Sequence, residues 1–163
     1  MTKTGKRPIT DRPPTGLMKV ILRLPIWAYR AHLGWIFGHR LVYIAHRGRT
    51  SGARREVVAE VVRFDKAVPE VTVIAAWGGT PQWFRNLKAA RAIEVRIGRQ
   101  RWEAPAQRFL TAEEILSTLR AYQAAHPRAF KELGPRLGFP ADPQDPTWPQ
   151  VAARVHAVAF RPS

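Results

Sequence analysis

The chain has 163 residues, no cysteine, and 27 Lys/Arg against 12 Asp/Glu, for a formal charge of +15. That length suits about one domain with a real core, and the lack of cysteine excludes disulfides, thiolate metal sites and cysteine nucleophiles while agreeing with a reducing cytosol. The histidines at 32, 39, 46, 126 and 156 show neither H-x-x-x-H nor H-E-x-x-H spacing, so no metal site is expected.

The charge favours an anionic partner, whether nucleic acid, anionic lipid or a polyanionic small molecule. It is concentrated in residues 1–63, where 13 Lys/Arg face only Asp11, Glu56 and Glu60. Arginine supplies 21 of the bases, and Asn86 is the only asparagine. An Ala/Arg/Pro-rich, Lys/Asn-poor chain is also what a GC-rich genome produces, so part of the bias needs no ligand.

Residues 1–15 are basic, contain Pro8, Pro13 and Pro14, and lack the apolar run of a secretory signal; they are expected to be disordered. The remainder, 16–163, is expected to form one domain. Gly16 to Gly38 reads as a basic amphipathic helix, with Leu17, Val20, Ile21, Leu24, Ala28, Ala31 and Trp35 at helical spacing. Pro25 kinks it or divides it into two helices meeting near Leu24. Charges at 19, 23 and 30 argue against a membrane span. Two readings stay open: monotopic contact with an anionic membrane surface, or packing on the barrel or across a homodimer seam.

Strands are expected at 41–45, 56–64 and 71–75, all rich in β-branched residues. Between the first two lies H46-R-G-R-T-S-G-A-R-R55. Gly48 and Gly52 free the backbone for tight turns, and Arg47, Arg49, Arg54, Arg55, Thr50 and Ser51 supply donors that suit a phosphate. The loop lacks the lysine of a P-loop and the G-x-G-x-x-G of a dinucleotide fold. After Ala76-Trp77-Gly78-Gly79, Thr80 and Pro81 open a helix to about Ala90 as N-cap and first helical residue. A strand at 93–97, a turn at Gly98 and a strand from Gln100 to Leu110 follow. Thr111-Ala-Glu-Glu114 is a capping box for a helix over 112–125; a second helix runs from Pro127 to about Leu137, a proline-rich loop spans 138–149, and Val151 to Phe160 forms the last strand. Consecutive strands with short turns fit a mainly β, α+β fold in the form of a small barrel.

Gly48 to Arg55, then Gly78-Gly79 and W83-F-R-N-L-K88, resemble the deazaflavin (F420)-dependent nitroreductase family of split β-barrels. The resemblance runs from about Leu24 to Arg161. It implies a flavin/deazaflavin-reductase-like split barrel with coenzyme F420 as cofactor, FMN being the alternative, and a cytoplasmic enzyme passing hydride to a quinone, nitro compound or similar small apolar acceptor. It also implies a cofactor site of Arg47, Gly48, Arg49, Thr50, Ser51, Gly52, Arg55, Ala76, Trp77, Gly78, Trp83 and Asn86, with Trp83, Asn86, Tyr122 and Phe130 toward the substrate. No catalytic triad or carboxylate pair is evident; hydride transfer does not require one, because the cofactor carries the reactive atom. A non-catalytic F420- or flavin-binding protein, membrane-associated or free, would carry the same site, whereas a nucleic-acid-binding barrel would need interleaved aromatics that the chain lacks.

Overall fold

The computed structural model describes residues 17–75 and 80–163, with side chains from residue 24 onward. Helix α1 (Leu17–Arg30) and a 3-10 turn (Gly34–Phe37) precede β1 (Leu41–Arg47), β2 (Arg54–Asp65) and β3 (Glu70–Ala75). Then come α2 (Gln82–Ala89), β4 (Glu94–Ile97), β5 (Gln100–Glu103), β6 (Ala106–Phe109), α3 (Ala112–Ala125), α4 (Pro127–Leu137), α5 (Trp148–Ala152) and β7 (His156–Arg161).

All seven strands join one antiparallel sheet in the order β5-β4-β1-β2-β3-β7-β6. Strand β2 serves both halves. Its first part, Arg54 to Glu60, pairs with β1, and its second, from Val61, pairs with β3 across a register shift between Val61 and Arg63. Such a bulge bends the strand and deepens its twist. The sheet's two end strands, β5 and β6, are consecutive in the chain and joined only through Ala104 and Pro105, so the sheet curls into a split β-barrel.

Side-chain alternation sorts the strands into an inner and an outer face. Val42, Ile44, Val73, Val95 and Phe160 point inward, where α2 adds Phe84 and Leu87. On the outer face, Val62, Ile74 and Ala157 carry a second core made with α3, α4 and α5, in which Phe130 stacks on Trp148 at 5.4 Å. Elsewhere on the outer face, Tyr29 of α1 stacks against Tyr43 and donates its hydroxyl to the Leu41 carbonyl at 2.7 Å. The 3-10 turn comes so close that a Cβ on Gly34 would lie 2.3 Å from the Tyr29 ring.

Four expectations are corrected. Of the two readings at Pro25 the undivided one holds, since Pro25 lies inside α1; the helix does not reach Gly38, because the chain breaks at Ala31 to Leu33, where His32 takes φ 59°. The run from Gln100 to Leu110 is two strands, because Ala104 adopts φ 45° and Pro105 lacks an N–H; β5 then pairs with β4, and β6 with β7. Residues 148–152 are helical, with Pro149 in the first turn, so the last strand starts at His156 and not at Val151. The N-cap of α2 is Pro81; Thr80 instead places Oγ1 3.0 Å from His156 Nε2. The capping box at Thr111 forms as expected, its hydroxyl accepting from the Glu114 N–H while Glu114 accepts from the Thr111 N–H. Residues 1–15 lie outside the described residues.

Candidate functional site

The β1–β2 hairpin and α2 enclose an open cleft of about 460 Å³. Strand pairing builds its floor: His46 faces Arg55 across the β1–β2 ladder, and both lie on the inner face with Val57. Beyond Arg47 the chain turns tightly. The Gly48 N–H donates to the Ala53 carbonyl and the Gly52 N–H to the Gly48 carbonyl, each at 2.8 Å, and Gly52 takes φ 66°. A side chain at Gly52 would be strained, and a Cβ on Gly48 would lie 2.7 Å from Ser51 Oγ. The two glycines therefore keep the loop closed and leave Arg49, Thr50 and Ser51 exposed at the rim.

Helix α2 forms the opposite wall. Gln82 and Asn86 lie one turn apart on one helix face, and both engage Arg49, whose Nη1 donates to Gln82 Oε1 at 2.7 Å and to Asn86 Oδ1 at 3.0 Å. The Arg49 backbone N–H also donates to Asn86 Oδ1, at 3.2 Å. Asn86 Nδ2 lies 3.3 Å from Nδ1 of His46, and both residues are buried. Burial, assisted by the Arg55 charge, holds the His46 imidazole below its ordinary range despite an opposing contact with the Arg47 backbone. Half-buried Trp83 completes the wall.

Among the described residues, Arg47, Arg49 and Arg55 make no ion pair. The one carboxylate at the rim, Glu56, is engaged elsewhere, accepting from Arg30 and, at 2.6 Å, from the Tyr43 hydroxyl. What the cleft offers a ligand is therefore cations, hydroxyls and an indole: donors for an anionic chain beside a flat apolar surface.

Of the residues singled out from the sequence, Gly48, Arg49, Thr50, Ser51, Arg55, Trp83 and Asn86 meet around the cleft. Arg47 and Gly52 belong to the same hairpin. Ala76, Trp77 and Gly78 lie outside the described residues. Tyr122 and Phe130 are not brought to the cleft; they are buried in the outer helical core, where the Tyr122 hydroxyl donates to Glu60 at 3.0 Å and its pKa is pushed up to about 12 by burial and that carboxylate. Sequence reasoning missed His46, Gln82 and Val57. A polar residue ending the apolar run Leu41 to Ala45, and a Gln four residues before the sole Asn, were the available signals for the first two.

A family model described as F420H2-dependent quinone reductase matches residues 21–130. The chain belongs to that family. It is an F420H2-dependent oxidoreductase, with F420 as its cofactor. The structure is similar to one described as an F420-H2 dependent reductase, FDR-A, at TM-score 0.51 and 18% identity over 76% of this chain and 96% of that one. It is also similar to one described as a domain-swapped dimer, at TM-score 0.52 and 18% identity over 84% and 99% of the two chains. No curated protein matches the chain. The donor-rich rim and its glycine-tightened loop fit this reductase's cofactor, whose chain is anionic and whose ring system is flat.

Proposed function

We propose that the cleft holds the anionic chain of F420, with Arg49, Thr50, Ser51 and Arg55 as its anchors and Trp83 bordering the ring and the acceptor. The reduced deazaflavin supplies the hydride. The chain's own contribution is to bind and orient: guanidinium groups and hydroxyls grip the phosphate and carboxylates, and the indole offers a face for an apolar acceptor such as a quinone. The observation that carries this reading is that two arginines, Arg49 and Arg55, neither of them in an ion pair among the described residues, converge on one cleft with two hydroxyls. Fluorescence titration with F420, followed by an assay of F420H2 oxidation against quinones and nitro compounds, tests it. Saturable binding with faster turnover on quinones is expected; turnover without any loss of affinity in Arg49→Ala and Arg55→Ala would overturn the anchor assignment.

The surface around α1 favours a site of action beside an anionic membrane. Leu24, Trp27, Trp35 and Ile36 are each half-exposed or more, and Arg30 and Arg99 sit 5.5 and 5.7 Å above the Trp27 and Trp35 rings. Among the described residues no helix is long and apolar enough to cross a membrane, so contact would be peripheral, through buried indoles and headgroup-binding cations. A second copy of the chain is the competing occupant, as the neighbour described as a domain-swapped dimer illustrates. Flotation with anionic vesicles that weakens in salt supports the membrane; a salt-independent dimer that ignores vesicles replaces it.

A further inference from the structure

The contact between His46 and Asn86 is built from two buried polar side chains, and its polarity is determined by a third residue. The Asn86 carboxamide oxygen accepts twice from Arg49, from the backbone N–H and from Nη1. Its nitrogen must then be the group facing His46 Nδ1 at 3.3 Å. A carboxamide NH2 donates and cannot accept, so Nδ1 carries no proton and the imidazole is neutral, protonated at Nε2.

We propose that His46 is a positioning residue for the anion loop: as a neutral acceptor it holds Asn86, and through Asn86 holds Arg49 at the cleft, and a proton on His46 releases Arg49 and weakens F420 binding. This rests on the reading that the loop anchors the cofactor. A proton on Nδ1 would set N–H against NH2. Turning the amide over would satisfy the imidazolium but set NH2 against both Arg49 donors. Either way Arg49 loses both bonds to Asn86 and keeps only the one to exposed Gln82, because His46, Asn86 and Arg49 have one satisfied arrangement and it requires a neutral ring.

The surroundings favour that arrangement. Arg55 lies across the ladder and repels an imidazolium, while the contact with the Arg47 backbone opposes that effect; Arg49 lies beyond the amide. Glu56 turns to Arg30 and Tyr43, and Glu94 of β4, paired with Ala45, lies on the other face of the sheet. Helix α2 presents uncharged Gln82, Trp83 and Asn86 to the cleft. Burial and Arg55 together hold the ring below the ordinary histidine range, so Arg49 stays held at neutral pH and is released in acid. The added charge also attracts an anion, but across an open, screened cleft, whereas the loss at Arg49 is a direct charge-assisted bond.

His46→Leu removes the acceptor, whereas His46→Asn places a carbonyl oxygen near the position of Nδ1 and does not titrate. Fluorescence titration with F420 at pH 7 is expected to show affinity about tenfold weaker in His46→Leu and within about twofold of wild type in His46→Asn. Between pH 8 and 5, wild-type affinity is expected to fall relative to His46→Asn. Imidazole nitrogen shifts of the cofactor-free protein are expected to report the Nε2–H tautomer. Equal affinity of wild type and His46→Leu, parallel pH profiles of wild type and His46→Asn, or an Nδ1–H tautomer would each overturn the proposal. Arg49→Ala and Arg55→Ala run alongside: if both bind F420 like wild type, the anchor reading fails, while the tautomer still judges the His46–Asn86 contact on its own.

Discussion

Arg54 and Arg55 are adjacent in β2, and the pleat sends them to regions with opposite characters. Arg54 joins the outer face, where its Nη2 reaches Glu94 at 3.2 Å and Glu94 also accepts from Arg96 and Arg101. Arg96 in turn donates to the Tyr29 carbonyl at 3.0 Å, tying the sheet to α1. Arg55 joins the cleft, where none of the rim arginines has a carboxylate partner among the described residues. One arginine-rich surface is neutralised from within and acts as structure; the other is left open to an external anion. Net charge alone does not separate the two, because both regions contribute to the same +15. Their partners do.

Glu94→Gln gives the largest expected effect on the neutralised side. It leaves Arg54 and Arg96 without a carboxylate partner around a site that is 3% exposed, while Arg101 keeps exposed Glu103 at 3.0 Å. A loss of about 2–3 kcal/mol is expected, below the 3–5 of a fully buried pair because Arg54 and Arg101 are half-exposed. Thermal unfolding should show it, with F420 affinity of the folded protein unchanged. The same region sets the acid limit. Burial alone would raise the carboxyls of Glu94 and Glu56, but their arginine partners hold both below the usual range of about 4.5. Their contribution is fully present above that value and is lost as pH falls through the depressed folded-state values. A stability profile rising as pH drops below 4.5 would contradict it.

On the open side, Arg49→Ala is expected to weaken F420 by about 1.5–3 kcal/mol, the range of charge-assisted bonds, and to leave unfolding little changed. Binding should also tighten with the number of glutamates on the cofactor tail and weaken with salt. Equal affinity for tail-less and polyglutamylated forms at low salt would remove the electrostatic argument. The smallest effect belongs to neither region: Thr111→Ala breaks the α3 capping box and is expected to cost about 1 kcal/mol, measurable by denaturant unfolding with no change in binding.

The difference between Arg54 and Arg55 was partly legible before the fold. Strands at 41–45, 56–64 and 71–75 followed from β-branched patterning, and alternation along β2 already separates adjacent residues onto two faces. The glycine-spaced loop pointed to an anion from local chemistry alone. What the pattern does not carry is which layer a buried face meets: Tyr122 of α3 and Phe130 of α4 lie on the buried faces of two helices, and only the tertiary fold puts those faces on the outer core. The split at Ala104 is likewise a long-range outcome, since β5 and β6 find partners on opposite ends of the sheet, although Pro105 was a local warning. The contacts of His46 and of Thr80, expected instead as an N-cap, were not legible because their partners, Asn86 and His156, lie 40 and 76 residues away.

Paired F420 titrations of Arg54→Ala and Arg55→Ala at low salt separate the donors of the cleft from the general positive field. The two positions share a strand, a residue type and a formal charge change, so any general loss of positive field affects both. Arg55→Ala is expected to lose about tenfold or more in affinity, and Arg54→Ala to stay within about twofold of wild type with a stability loss under about 1 kcal/mol. Equal losses of affinity at both positions would show that bulk charge, and not the donor set of the cleft, holds the cofactor.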